Sequence, residues 1–274
     1  MPTIWRTPHG DSLINRGYMR FLSRKVKTGV FCLLLAVLST GLLVSSTTPS
    51  QSERLTCVFT SKGGLRDIFK KHQYAGTVSV KEVLHKKNKY GLGPRHLLNG
   101  EVTIYDGKSY TAVAAGAGVE VTESAEDESA IFMAYGRSKD WQKFTTKDDL
   151  YGMANIEYFI EDLAKRYTMD TNILFMFRIE GMAEDLRYSV VSRKPGDTDT
   201  YSASAHKRAR VPYDAELVEA NFIGAWSNLA NSGRYTDRDT RLHVHMISAD
   251  KKISGHVEDL TLKAGSVIYL PRCH

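Results

Sequence analysis

The chain has 274 residues, 42% of them hydrophobic and 25% charged, with a formal net charge of +6, an ordinary globular balance. Arg6, Arg16, Arg20, Arg24, Lys25 and Lys27 all fall within residues 1–27 against Asp11 alone, so the rest of the chain carries only +1. The basicity belongs to the first segment, which excludes nucleic-acid binding as its reason.

In chain order, residues 29–44 (GVFCLLLAVLSTGLLV) form an uncharged apolar run directly after Arg24, Lys25 and Lys27, and a polar TTPSQS stretch follows. A basic flank, an apolar run and small residues at its exit (Val44, Ser46) read as an export signal, with an uncleaved single-pass anchor as the alternative. In both cases the basic flank stays inside and the domain lies outside the cytoplasm, touching a membrane only through this segment. Residues 1–50 are thus leader and residues 51–274 the domain, expected as two subdomains of about 51–170 and 171–274. Cys57 and Cys273 stand at the two ends of that domain. A disulfide and two separate thiols both remain open.

Helices are expected over residues 65–72 and from Ser79, where Glu82 completes a capping box. GLGPRHLLNGEV leads into a strand, and EVTIYDGKSYTAV is a hairpin because Asp106-Gly107 supplies the left-handed turn. The acidic residues 120–130 read as a solvated loop, and residues 131–135 as a strand. The clearest helix covers residues 147–167, capped by Thr146 and Asp149, with Met153, Ile156, Ile160 and Leu163 at core spacing. Strands follow at residues 173–179, 188–192, 218–226, 241–248 and 266–270. Many strands with few helices indicate an α+β fold whose second half is mainly antiparallel.

RLHVHMISADKKISGHVEDL carries the chemistry. On a strand, His243 and His245 point one way and Leu242, Val244 and Met246 the other. ADKK is turn-like, so SGHVEDL returns as a partner strand and His256 reaches the same face. Three neutral imidazoles suit Zn2+ or another divalent cation and leave positions open for water or substrate; the bland alternative is a polar strand face decorated with histidines.

With these residues in view, the chain resembles the acetolactate decarboxylase family over about residues 75–262. GLGPRHLLNGEVTIYDGKSY is similar to the family's glycine-rich turn, strand and Asp-Gly hairpin; the helix is followed by NILFMFRIEG and SVVSRK; and LHVHMISADKKISGHV is similar to its histidine hairpin. The resemblance implies mixed and antiparallel sheets with a few helices and a metal site on a β-hairpin. It implies His243, His245 and His256 as metal ligands, Glu101 as an acid/base beside the metal, and Arg193 as the arginine that meets the substrate carboxylate. The implied reaction is decarboxylation of a 2-hydroxy-3-keto acid, 2-acetolactate, to acetoin through an enediolate. A homodimer is one assembly open to such a chain.

The sequence departs from the family at Pro94 (threonine in the family), Asn99 (aspartate) and Ser254 (glycine). The family also returns a second glutamate to the metal, for which no residue after His256 matches by position; Glu258 is the nearest carboxylate. A second reading is therefore an exported, non-catalytic metal or small-molecule binding module on the same fold. A third is a cupin, from His-X-His and LKAGSVIYLPRCH, but the glutamate a cupin needs shortly after His245 is absent.

Overall fold

The computed structural model describes residues 56–273 except 85–86, 124–125, 195–201, 229, 231 and 238–239; the leader with its apolar run and His274 lie outside the described residues. The first elements are β1 (Cys57–Lys62), α1 (Leu65–Lys71), β2 (Val78–Ser79), α2 (Val80–Leu84), β3 (Lys89–Pro94), β4 (Glu101–Tyr105) and β5 (Lys108–Ala115). Then come β6 (Gly118–Glu123), β7 (Ser129–Ala130), β8 (Met133–Ser138), β9 (Trp141–Thr145), β10 (Leu150–Tyr151) and α3 (Gly152–Arg166). The last are β11 (Phe175–Val191), α4 (Ala203–Ala209), β12 (Arg210–Trp226), β13 (Leu242–Ser248), β14 (Ser254–Leu262) and β15 (Val267–Pro271).

Two large antiparallel sheets result, the first in the order β1-β8-β3-β4-β5-β6 and the second in the order β10-β14-β13-β12-β11-β15-β9, and β2 pairs with β7 in a small third. This is the expected α+β fold. The second sheet closes on itself because β14 pairs with β11 as well as with β13, which leaves those strands without open edges. The chain passes from the first sheet to the second between Ser138 and Trp141. β9 pairs with β15 in continuous register and so belongs to the second sheet.

Several elements differ from the sequence expectation, each for a local reason. The two strands expected at 173–179 and 188–192 are one strand, β11, because β12 pairs with it from Phe175↔Trp226 to Val191↔Arg210. Its intervening polar residues find partners: Glu180 accepts from Tyr105 and Tyr269, Glu184 from Lys263, and Arg187 donates to Asp259. α3 begins at Gly152, with no side-chain cap. Asp149 is taken instead by Lys263 Nζ at 2.7 Å and the Ala264 N–H at 2.8 Å, and Thr146 donates to the Lys263 carbonyl. Ile156, Ile160 and Leu163 are buried as their spacing predicts, and Met153 packs at the edge of the same core. The first part of the acidic stretch is β6, paired with β5, where Glu123 accepts from Lys108 and Lys251. The Asp106-Gly107 turn forms as expected, with positive φ at both residues.

Arg178 of the second sheet inserts its guanidinium among aromatic rings from both sheets, 5.6 Å from Tyr90, 5.5 Å from Tyr105, 4.9 Å from Trp141 and 4.2 Å from Tyr269. Such cation–π contacts favour a fixed sheet-to-sheet docking. Among the described residues no helix is long and apolar enough to cross a membrane.

Cys57 and Cys273, 216 positions apart in the chain, form a disulfide with Cα atoms 5.0 Å apart, which settles the question left open by the sequence. In the chain-entropy picture a link across so long a loop is worth about 5 kcal/mol. Cys57→Ser should therefore unfold at markedly lower denaturant than wild type under oxidising conditions and match it in reductant. Coincident curves in both conditions would show that the link adds nothing.

Candidate metal centre

The site is built on the β13–β14 hairpin. Leu242, Val244 and Met246 enter the core beneath the second sheet, so alternation turns His243 and His245 to the opposite face. Register then places His256 directly across from His245, and Ser189 of β11 pairs with His256 from the other side. The turn is held by Ser248, which donates to Asp250 at 2.6 Å and accepts from the Ile253 N–H at 3.1 Å. At Gly255 a Cβ would lie 2.7 Å from the Ser189 carbonyl oxygen, so a glycine lets β11 pass this close. One ligand atom from each of His243, His245 and His256 lies within 4.8 Å of the others. The Nε2 atoms of His243 and His245 are 3.1 Å apart.

The first sheet completes the site. Thr103 of β4 places its hydroxyl 3.0 Å from His245 Nδ1, which fixes the ring and leaves Nε2 facing the other imidazoles. Glu101 opens the same strand; its Oε2 is 3.6 Å from His245 Nε2, and its Oε1 accepts from the Val191 N–H at 3.2 Å. The segment before it is strained, with Leu97 and Leu98 at φ 61° and 55° and Gly100 at φ 118°. It is tied to the end of β11 by the Gly100 N–H donating to the Val191 carbonyl and the Arg193 N–H to the Leu98 carbonyl. Left-handed backbone at two leucines persists only where its surroundings over-determine it, and here they aim Glu101 at the histidines.

Burial is the largest influence on the site's ionisation. It holds all three imidazoles well below their usual range, and the Arg210 charge acts the same way on each. They are neutral donors at neutral pH. Burial also pushes Glu101 up to about 8, opposed by the Val191 N–H and the Arg210 charge and assisted by Glu258. A bound dication would act on it in the opposite sense. Three neutral imidazoles with an adjacent carboxylate fit zinc or another borderline divalent ion and leave room in its coordination sphere.

The cavity here is small, about 20 Å³, and its wall includes Glu101, His206, Arg210, Asp237, His243 and His256. That volume takes a cation or a single water. Glu101 lies in that wall, its Oε2 3.6 Å from His245 Nε2. Arg193 is not among the residues of the cavity wall; its guanidinium lies 4.3 Å over the Tyr74 ring. The guanidinium in the wall belongs to Arg210, which sequence reasoning missed along with His206. Neither has a local signature, since α4 and the Val191↔Arg210 pairing put them there. His274, the terminal histidine of the cupin alternative, lies outside the described residues.

Two measurements probe this arrangement. Thr103→Val should fold normally yet weaken metal affinity about 10- to 100-fold, read by competition with a chelating indicator; unchanged affinity would remove Thr103 from the site. The second concerns His206, which burial pushes down to about 4, with the Arg210 charge acting likewise and Asp237 opposing. With an unfolded value near 6.5, the folded state binds fewer protons between these limits. The group's stability contribution is complete above pH 6.5 and lost as pH falls toward 4, on the order of 3 kcal/mol. Thermal midpoints between pH 7 and 4 should fall less in His206→Gln than in wild type, and parallel declines would exclude His206 as the source.

Comparison with known proteins follows this geometry. The family model described as alpha-acetolactate decarboxylase matches residues 64–271. The chain is 25% identical over 194 residues to the alpha-acetolactate decarboxylase of Streptococcus thermophilus, covering 71% of this chain and 76% of that protein. It is 26% identical over 195 residues to the alpha-acetolactate decarboxylase of Lactococcus lactis subsp. lactis (strain IL1403), with the same coverage. Among solved structures, alpha-acetolactate decarboxylase from Bacillus subtilis strain 168 superposes with a TM-score of 0.62 at 15% identity, covering 78% of this chain and 85% of that one. A Staphylococcus aureus protein of unknown function, described as similar to alpha-acetolactate decarboxylase, superposes with a TM-score of 0.63 at 17% identity, covering 79% and 85%. These two show the shared fold.

Proposed function

The chain belongs to the alpha-acetolactate decarboxylase family, and from that premise we propose that it is a metal-dependent carboxy-lyase converting 2-acetolactate to acetoin and carbon dioxide. The observation that carries this reading is the convergence of His243, His245 and His256 with Glu101, whose carboxylate lies 3.6 Å from His245. A divalent cation, with zinc our choice for an all-imidazole donor set, would supply Lewis acidity to the adjacent hydroxyl and keto oxygens of the substrate.

The residues of the chain account for the remaining needs of the reaction. His243, His256 and His245, the last held through Nδ1 by Thr103, would hold the cation beside Glu101. When the bond to the carboxyl carbon breaks, its electron pair moves toward the keto group, leaving an enediolate that must gain a proton on carbon. Glu101, whose carboxylate lies 3.6 Å from His245 Nε2, is the group placed to deliver that proton from its carboxyl and then recover one from solvent. The buried wall keeps bulk water from competing for the same position.

We also place the domain outside the cytoplasm, exported or anchored by residues 29–44. The basic flank of that run supports this, as does the Cys57–Cys273 disulfide, a bond that persists in oxidising compartments. The second reading, a binding module without turnover, is favoured by the 20 Å³ cavity, which must widen before a five-carbon acid enters.

Zinc-loaded protein should release acetoin from 2-acetolactate, with His243→Ala losing both metal and activity. Glu101→Gln should keep its metal and lose about 10²- to 10⁴-fold in kcat. Folded, metal-loaded wild type that produces no acetoin would leave the binding module as the function.

A further inference from the structure

Arg210 is the cationic side chain of the cavity wall, and it is held from two directions. Its Nη1 and Nη2 donate to the two Asp237 oxygens at 3.1 and 3.3 Å. Nη1 also reaches Glu258 at 3.2 and 3.4 Å. The two carboxylates differ in how firmly they are fixed. Glu258 follows His256 by two residues on β14 and accepts from Ser189 Oγ at 2.6 Å, so two strands of the closed sheet hold it. Asp237 sits in the connection between β12 and β13, and its side chain is 49% exposed against 14% for Arg210.

We propose that Arg210, rather than Arg193, receives the carboxylate of the substrate, and that Asp237 occupies the same guanidinium as an internal stand-in which the substrate displaces. The inference rests on the decarboxylase reading for its ligand class, a 2-hydroxy acid that also meets the metal. Charge supports it: replacing one carboxylate by another leaves the balance around the guanidinium unchanged, whereas adding a third would not. Geometry supports it as well, because the Asp237 pair is the side-by-side, two-bond arrangement that a guanidinium offers any carboxylate. Glu258 stays in place and keeps the guanidinium aimed. Displacing Asp237, which lines the wall beside His206 and Arg210, also frees space at the cavity where a ligand larger than water must enter.

The test is calorimetric binding to zinc-loaded protein of two unreactive probes, 2-hydroxyisobutyrate, which carries the carboxylate, and acetoin, which lacks it. Arg210→Gln should weaken 2-hydroxyisobutyrate about tenfold or more, as expected for losing a charge-assisted pair, and leave acetoin unchanged. Asp237→Asn should strengthen 2-hydroxyisobutyrate severalfold without affecting acetoin, since the stand-in no longer competes. Arg193→Gln should alter neither. If Arg210→Gln fails to fold, Arg210→Lys and Asp237→Asn decide: a weaker hydroxy acid in the first and a tighter one in the second sustain the proposal. Unchanged or weaker 2-hydroxyisobutyrate in Asp237→Asn overturns it, as does a loss in Arg193→Gln matching that expected for Arg210. Neither probe reacts, so absence of decarboxylation leaves these outcomes intact and is a separate failure.

Discussion

The pairing of His245 with His256 across β13 and β14 is the constraint on which the centre depends. A strand turns alternate side chains to opposite faces, so a one-residue slip in this hairpin would carry His256 into the core and bring Val257 or Gly255 to the cavity. The slip is opposed on three sides. Leu242, Val244 and Met246 are committed to the apolar interior, the Ser248–Asp250 turn fixes the hairpin's length, and β11 pairs with β14 along its other edge. Closing the second sheet on itself thus serves the site as much as the core, because it denies β14 a free edge.

The second requirement is that the two sheets meet in one position. Thr103 and Glu101 come from the first sheet and the three imidazoles from the second, so a shift of about an ångström between sheets would break the Thr103–His245 contact. Two features oppose such a shift. Arg178 of the second sheet is enclosed by Tyr90 and Tyr105 of the first and by Trp141 and Tyr269 of its own. On the other flank, the strained turn through Leu97 and Leu98 is bound to the end of β11. Backbone strain beside Glu101 is tolerable because those bonds leave the chain no relaxed path from β3 to β4.

Burial and charge then divide the labour. Desolvation keeps the imidazoles neutral and favours a proton on Glu101 in the absence of metal, while the Arg210 guanidinium of the cavity wall is flanked by the carboxylates of Asp237 and Glu258. A buried cation without partners is costly, and Asp237 and Glu258 supply those partners to Arg210. Family membership accounts for the histidine hairpin and Glu101. Arg193, which the resemblance assigns to the substrate carboxylate, lies with its guanidinium 4.3 Å over the Tyr74 ring.

What the sequence determined by itself was local and periodic. Alternation across β13 assigned the faces of His243 and His245, Asp106-Gly107 required its turn, and the spacing of Ile156, Ile160 and Leu163 chose the buried side of α3. Each depends on residues a few positions apart, and neighbouring chemistry suffices. The start of α3, the continuity of β11, the pairing of Cys57 with Cys273 and the place of Arg210 in the cavity wall were decided only in the tertiary structure. Each is a competition for partners distant along the chain: Lys263 takes Asp149 from its cap, β12 zips through the polar middle of β11, and Asp237 and Glu258 draw Arg210 to the cavity. Such outcomes depend on which groups meet once the sheets have closed, and no window of sequence contains both members of the pair.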